Sequence, residues 1–421
     1  MRNGRIPYPS LMLLFAATFV AWTQQAVAQT DRVDDVVRAE MRRQNIPGLS
    51  LAVLRDGRIV KTEGYGVADI ALGTPATPRT VYKIASVSKQ FIAAGVMLLV
   101  QERRLGLDAP IGRFLDGAPA TWSGITVRHL LTHTSGLVRE APGFDPQRVQ
   151  SDADVIRTAY PLPLRFVPGE RWEYSNLGYF ALAEVIRRVT GRPWDEYLTE
   201  KVFRASGMNA TRTTSTRDSV PNRAVGYRDN DRLLVAGDWP ALRPSGAFLS
   251  TVLDLARWDA VLHGDDLLRD STRRQMWEPV RLDDGTSYPY GFGWQLDSLG
   301  GHRTVHHGGG VPGFRAGFAR FVDDGLTVIV LMNLDDVDLE SIVRGVARVY
   351  LPAAAVREPQ DVLDEDEGSP SQRPDAELQP TKHLGQTCSR MERPPRRRSA
   401  AGLDRVRFAA ELGRWATSTR S

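Results

Sequence analysis

Ser86-Val87-Ser88-Lys89 carries the reading of this chain. A hydroxyl and an amine stand three residues apart, and residues so spaced share one face of a helix. An amine beside a serine hydroxyl can take its proton, provided the amine is kept partly neutral. Lysine is scarce, occurring only at Lys61, Lys83, Lys89, Lys201 and Lys382. The stretch from Ser88 to Arg103 places Phe91, Ile92, Val96, Leu98 and Leu99 at helical spacing, which predicts an amphipathic helix opening on the Ser-Lys pair. Serine is common, so the pair gains its weight from two stretches further along.

The first is Tyr174-Ser175-Asn176, inside Pro168-Gly169-Glu170-Arg171-Trp172-Glu173-Tyr174-Ser175-Asn176-Leu177-Gly178-Tyr179. Pro-Gly marks a turn, and Tyr-Ser-Asn opens the helix that follows. A nearby lysine cation favours the phenolate, so Tyr174 is expected to act as general base on Ser86 and later as acid to a leaving group. Asn176 has an amide that can both fix Lys89 and bond a substrate carbonyl. The second is His307-Gly308-Gly309-Gly310, followed by Val311-Pro312-Gly313. Backbone without side chains can run close beside a bound molecule. Its N–H groups, with that of Ser86, can hold an oxyanion. His307 is expected to face the cleft, where it can donate a hydrogen bond or carry charge near neutrality. Read separately, each stretch also fits a structural role: a helix start, or a glycine-rich hairpin with a surface histidine.

Outward from these, Asp31 to Gln44 predicts a helix with Val33, Val36, Val37 and Met41 on one stripe. Leu49 to Arg55 and Arg58 to Gly66 predict strands joined by Asp56-Gly57, a strong hairpin signal. The middle of the chain is rich in helices and loops, including Glu184 to Val189 and Leu253 to Leu262, the latter opened by a Thr251/Asp254 capping box. Strand patterns return at Tyr290 to Asp297, Arg303 to His307, Gly313 to Val322 and Leu326 to Met332, and Val337 to Tyr350 predicts a last helix. Strands at both ends and helices between them imply an α+β fold: one antiparallel sheet flanked by the N- and C-terminal helices, plus a helical lobe. A site is expected in the crevice between sheet and lobe.

The 421 residues are 42% hydrophobic and 25% charged, with a formal net charge of +4, an ordinary globular balance. Outside the C-terminal region basic residues are not clustered, so no nucleic-acid footprint is expected. Met1 to Ala28 has the form of a secretory signal: Arg2 and Arg5, an apolar run from Leu11 to Trp22 too short to span a bilayer, and Ala26-Val27-Ala28 as cleavage site. A catalytic domain over 29–352, a periplasmic or secreted location and no stable membrane span after cleavage are therefore expected. Residues 353–421 turn acidic, then Arg-rich, without sustained periodicity, and read as a disordered tail. Cys388 is the only cysteine, so no intramolecular disulfide can form.

In the order Ser-x-x-Lys, Tyr-x-Asn, His-x-Gly, the chain resembles the serine beta-lactamase and penicillin-binding protein superfamily, closest to its class C-like branch of carboxylesterases, D-amino-acid peptidases and DD-carboxypeptidases. The likeness runs from about Asp31 to Tyr350. It includes Leu130-Leu131-Thr132-His133-Thr134-Ser135-Gly136-Leu137, the run from Ser250-Thr251 to Trp258, and Tyr290-Gly291-Phe292-Gly293-Trp294. The resemblance implies a beta-lactamase/transpeptidase-like fold and an acyl-enzyme hydrolase. Ser86, Lys89 and Tyr174 are then catalytic, Asn176, His307, Gly309 and Gly310 bind substrate, and Ser86 and Gly310 give the oxyanion its N–H donors. Tyr174 stands where class A enzymes have Ser, and His307 where Lys is usual. That Lys helps hold the substrate carboxylate, so weaker recognition of carboxylated beta-lactams is expected, with an ester or small amide favoured.

The expected partner is a small ester, peptide or beta-lactam, and no cofactor. His302, His306 and His307, or His129 with His133, suggest zinc, but no His-Glu-x-x-His or acidic ligand pattern accompanies them. His129 and His133 are expected to cap and pack the Leu130-Leu131 segment. The Gly-x-Ser-x-Gly elbow of α/β-hydrolases is absent, as is a phosphate loop. A protein that acylates without turnover, a sensor or cell-wall binder, remains the other reading. If His307 or Tyr174 participates, activity should depend on a group titrating between pH 6 and 9.

Overall fold

Two apolar runs far apart in the sequence close one sheet. The computed structural model describes residues 31–351, except 142, 149, 214–218, 230–231 and 241–242. The expected signal segment and the expected tail lie outside the described residues. Residues 31–43 form helix α1. Strand β1 (Gly48–Arg55) turns through Asp56-Gly57 into β2 (Arg58–Asp69), and β3 (Thr74–Pro75) follows. Asp56 and Gly57 both have positive φ, 50° and 73°, the conformation that suits a two-residue hairpin to the twist of its strands. Much later come β4 (Gln295–Leu299), β5 (His302–Val311), β6 (Phe314–Phe321) and β7 (Leu326–Met332), then helix α5 (Leu339–Tyr350). Strand order across the sheet is β4-β5-β6-β7-β1-β2-β3. The antiparallel β1–β7 pair, with Leu51 opposite Val330, joins the two ends of the sequence.

Alternation along the central strands fills two cores. Leu51, Val53, Val328 and Val330 meet Val33 and Val37 of α1 and Ile342 and Val346 of α5. On the opposite face Ala52, Leu54, Ile329, Leu331 and Phe318 meet the helical lobe. That lobe contains α2 (Lys89–Gln101), α3 (Asn176–Thr190) and α4 (Val252–Val261). The α+β architecture therefore matches the sequence expectation.

Three local differences have physical causes. The expected strand from Tyr290 begins only at Gln295. Tyr290–Trp294 is a loop drawn tightly against its neighbours: a Cβ on Gly291 would lie 2.1 Å from the Met276 carbonyl oxygen, and one on Gly293 (φ +77°) 2.9 Å from that of Lys89. The strand expected to stop at His307 continues through the glycines to Val311, because each of those residues pairs with β6. At α4, Thr251 Oγ1 accepts the Asp254 N–H at 3.1 Å. The Asp254 carboxylate does not return the bond; it accepts from the N–H groups of Ala210 and Thr211 instead.

Leu331 is fully buried on the lobe face of β7. Truncation to Ala is expected to destabilise the protein by about 3 kcal/mol, read from the midpoint of urea unfolding with unchanged slope.

Candidate active site

A single 3-10 turn, Ala85–Ser88, leads into α2. From Val81 to Leu99 every residue is buried except Ser86. Ala85, just before it, is held at φ +46°, a left-handed conformation that costs a non-glycine residue about 1–2 kcal/mol. Ser88 is the other hydroxyl of the turn, but it is a brace. Its Oγ donates to the Ala85 carbonyl at 2.6 Å and accepts the Phe248 N–H at 3.3 Å. Ser86 is left as the hydroxyl facing the crevice.

Lys89 is fully buried at the start of α2. Its Nζ lies 2.8 Å from Asn176 Oδ1, 2.6 Å from the Ser245 carbonyl oxygen and 3.3 Å from Ser86 Oγ. Two of these partners are carbonyl oxygens, which can only accept. Nζ is within reach of three acceptors, and once uncharged it keeps both carbonyl bonds and turns a lone pair toward the Ser86 hydroxyl. Burial holds the Lys89 pKa well below the ordinary lysine value, the positive charge of Arg139 adds to this, and Glu140 opposes it. Asn176 is oriented from its other end, where Nδ2 donates to Glu140 Oε1 at 2.7 Å. Ser175 caps α3, its Oγ accepting the Gly178 N–H at 3.1 Å, which fixes where Asn176 emerges.

Tyr174 donates its hydroxyl proton to Ser86 Oγ at 2.9 Å. Its protonation departs from the sequence expectation. Burial pushes the phenol above its ordinary value, although the Ser86 bond and Arg139 pull the other way. Burial keeps the residue a phenol, and the Lys89 amine, its cation disfavoured by burial, lies within reach of Ser86. His307 departs likewise. It is buried, and loss of hydration, with the nearby Lys89, lowers its pKa to about 3. The ring is neutral across the physiological range, and of the two roles open to it the charged one is absent.

The glycines of β5 divide the work by parity. The N–H of Val322 bonds the Arg303 carbonyl at 3.1 Å, so odd-numbered residues of β5 point their N–H and C=O toward β6. The even-numbered ones point toward β4, which pairs no further than His306. The N–H of Gly310 therefore faces an unpaired sheet edge, as an oxyanion donor must. Gly309 faces the nucleophile turn: a Cβ there would lie 2.4 Å from the Ile84 carbonyl oxygen and 3.0 Å from the Ser86 nitrogen.

The structure thus brings Lys89, Tyr174 and Gly309 to Ser86, with Asn176 on Lys89, the His307 ring 6.4 Å from that of Tyr174, and Gly310 next to Gly309. Sequence reasoning missed the Ser245 carbonyl and Glu140. A main-chain carbonyl has no residue-type signature, and Glu140 sits on a loop whose path is set by distant contacts. It also misassigned His133, which lies against Tyr174 at 4.3 Å between ring centroids with the ring planes tilted by 37° rather than capping its helix. His129 does cap, in a box with Thr126. Trp172 stacks on the partly exposed Tyr288 at 4.2 Å and lies 6.3 Å from Tyr174, forming an aromatic wall. Among the described residues no group of three or more His, Cys, Asp or Glu is arranged to hold a metal, and no helix is long and apolar enough to cross a membrane.

A profile of the family described as Beta-lactamase matches residues 33–350. A penicillin-binding protein of Bacillus subtilis (strain 168) is 31% identical over 304 residues, 66% of this chain and 66% of that protein. A D-aminopeptidase of Brucella canis is 29% identical over 308 residues, 69% of this chain and 57% of that protein. The chain thus spans under two thirds of the length of these curated relatives. Among solved structures, D-amino acid amidase from Ochrobactrum anthropi SV3 superposes with a TM-score of 0.65 at 26% identity, covering 78% of this chain and 96% of the amidase. The octameric penicillin-binding protein homologue from Pyrococcus abyssi gives 0.67 at 25% identity, covering 76% of each chain.

Gly309→Ala is expected to push β5 away from the Ser86 turn. A displacement near 1 Å costs reactivity on the order of 10²-fold, so covalent labelling of Ser86 by a serine-directed phosphonate should slow by about that factor, with the circular dichroism spectrum unchanged.

Proposed function

Because the chain belongs to the beta-lactamase family, we propose that it is an exported serine hydrolase that cleaves an ester or amide through an acyl-enzyme on Ser86. One observation carries this reading. The Lys89 amine has both N–H bonds taken by carbonyl oxygens and its remaining direction on Ser86 Oγ. Burial, with the charge of Arg139, favours the uncharged amine, whose lone pair can then take the Ser86 proton.

In the reaction, Ser86 Oγ attacks the substrate carbonyl carbon as its proton passes to the Lys89 lone pair. The carbonyl oxygen becomes an oxyanion and accepts from the N–H groups of Ser86 and Gly310. The tetrahedral species collapses as Tyr174 gives its phenolic proton to the leaving oxygen or nitrogen, and Lys89 returns a proton to Tyr174. Water then attacks the acyl carbon with the same groups in reverse, releasing the acid and free Ser86. Asn176 holds Lys89 in register throughout.

The substrate reading draws on two supports. The relatives include a D-aminopeptidase and a D-amino acid amidase, which favours a small amide or peptide of a D-amino acid. His307, neutral where a cation is usual, offers no charge to a substrate carboxylate, which favours uncharged esters and amides over carboxylated beta-lactams. Export rests on the sequence of Met1 to Ala28.

The test is pre-steady-state hydrolysis of a short p-nitrophenyl ester and of a D-amino-acid p-nitroanilide, beside Ser86→Ala. A stoichiometric burst with continued turnover, absent in the variant, is the expected result. Full turnover by Ser86→Ala sinks the proposal, and a burst without turnover replaces the hydrolase by an acyl-binding protein.

The pH dependence has a definite sign. Lys89 works as the free amine, so activity falls as pH drops through its lowered pKa. Tyr174 works as the acid, and its raised pKa keeps it protonated across the neutral range. His307 is already neutral above a pH of about 3. The rate should therefore show an acid limb belonging to Lys89, and His307→Gln should lower the rate without moving that limb.

A further inference from the structure

One chain of hydrogen bonds links the Tyr174 segment to the glycine strand without touching Ser86 or Lys89. The backbone N–H of Ser175 donates to His133 Nδ1 at 3.1 Å. His133 Nε2 lies 3.1 Å from the Tyr290 hydroxyl. The same hydroxyl lies 3.1 Å from His307 Nε2. His307 Nδ1 lies 2.6 Å from the Gly308 carbonyl oxygen.

The two ends of this chain fix every proton in it. A backbone N–H can only donate, so His133 Nδ1 carries no hydrogen, and a neutral ring then carries it on Nε2. A carbonyl can only accept, so His307 carries a hydrogen on Nδ1, and burial, which keeps the ring neutral, leaves its Nε2 bare. The Tyr290 hydroxyl accepts from His133 and donates to His307. The Tyr290 hydroxyl also meets Tyr179, whose own proton goes to the Leu131 carbonyl at 3.1 Å.

The position of the last bond gives the chain its use. Gly308 is an even-numbered residue of β5, so its carbonyl lies on the edge that β4 leaves unpaired, beside the Gly310 N–H. We propose that His133 and Tyr290 are positioning residues that hold His307 in its Nδ1–H form on the Gly308 carbonyl, so that the free edge of β5 keeps its oxyanion donor aimed and offers the substrate neither a charge nor a free imidazole N–H. This proposal rests on the acyl-enzyme reading above and narrows it to substrates that are uncharged where they meet His307.

Local construction supports it. His133 is held at φ +61°, and its own carbonyl accepts the Glu173 N–H at 2.9 Å, which ties its backbone to the Tyr174 segment. Tyr290 sits at the head of the loop that Gly291 and Gly293 press against its neighbours. Both residues are fully buried, where an unmatched polar atom is costly. The charged and titratable groups facing the two rings are Lys89 on α2, Arg139 after the His133 turn, Tyr174 and Tyr179 at the start of α3, Tyr290, and His306 on β5. Burial is the first cause lowering both His133 and His307, and Lys89 the second.

The experiment uses the full chain with ¹⁵N-labelled histidine, its 7 histidines assigned by single His→Gln variants. Long-range proton–nitrogen spectra at neutral pH should show His133 protonated on Nε2 and His307 on Nδ1. A charged His307, or one protonated on Nε2, overturns the proposal and leaves the hydrolase reading intact. Tyr290→Phe removes only the hydroxyl and should release the His307 tautomer. Loss of a direct oxyanion donor costs about 10²–10³-fold, so loss of this indirect support should lower kcat for a neutral ester about 10-fold with KM within about twofold. Wild-type kcat in Tyr290→Phe, or a change confined to KM, also overturns it. Unchanged turnover in Ser86→Ala would instead sink the hydrolase reading, and the tautomer spectra would still decide the hydrogen-bond chain.

Discussion

The amine of Lys89 is the most constrained atom in the site. A lysine removed from water loses the hydration that stabilises its charge, and the group responds by losing its proton. Three directions remain to be filled, and they come from three distant parts of the chain: Asn176 at the head of α3, the Ser245 carbonyl in a short helix, and Ser86 in the turn below. The helical lobe is organised around bringing those atoms within hydrogen-bond reach of one buried nitrogen. Glu140 and Arg139 act on the same point from outside, one orienting Asn176 and the other disfavouring charge on the amine.

The sheet contributes the opposite kind of group, backbone without side chains. Strand β5 runs so close to the Ser86 turn that Gly309 has no room for a methyl group. Parity along the strand then determines which N–H groups are spent on β6 and which face the crevice. His307 shows the same logic in a side chain. Its two nitrogens are both committed, one to Tyr290 and one to the Gly308 carbonyl, so a residue that reads as a pH-sensitive donor in sequence is a neutral structural link in the fold. Strain at Ala85 and His133, both with positive φ, falls at the two turns that aim Ser86 and the Tyr174 segment, where the surrounding packing can sustain it.

Much of this is legible in the sequence. The Asp56-Gly57 hairpin, the alternating strands at both ends and the helix after Ser88 gave the α+β arrangement, because each is a local pattern with a local cause. Ser86, Lys89, Tyr174, Asn176, His307, Gly309 and Gly310 could all be named, because reactive residue types at short spacing leave a mark in sequence. The errors were of another kind. Tyr290–Trp294 was expected as strand because apolar alternation cannot reveal that its glycines press against Met276 and Lys89. Sequence suggests Tyr174 as a phenolate from the nearby lysine and leaves His307 open between a hydrogen-bond donor and a partly charged ring, because neither reading includes the burial that the fold imposes.

Sequence by itself determined which chemical groups this protein has and which short elements carry them. The tertiary structure alone decided their protonation and their partners. Tyr174 meets Ser86 across 88 residues, Lys89 meets the Ser245 carbonyl across 156, and His133 meets Tyr290 across 157. The free energy of a proton on any of them depends on how much water the fold removes and which atoms it supplies instead, and neither quantity exists until the chain has closed around them.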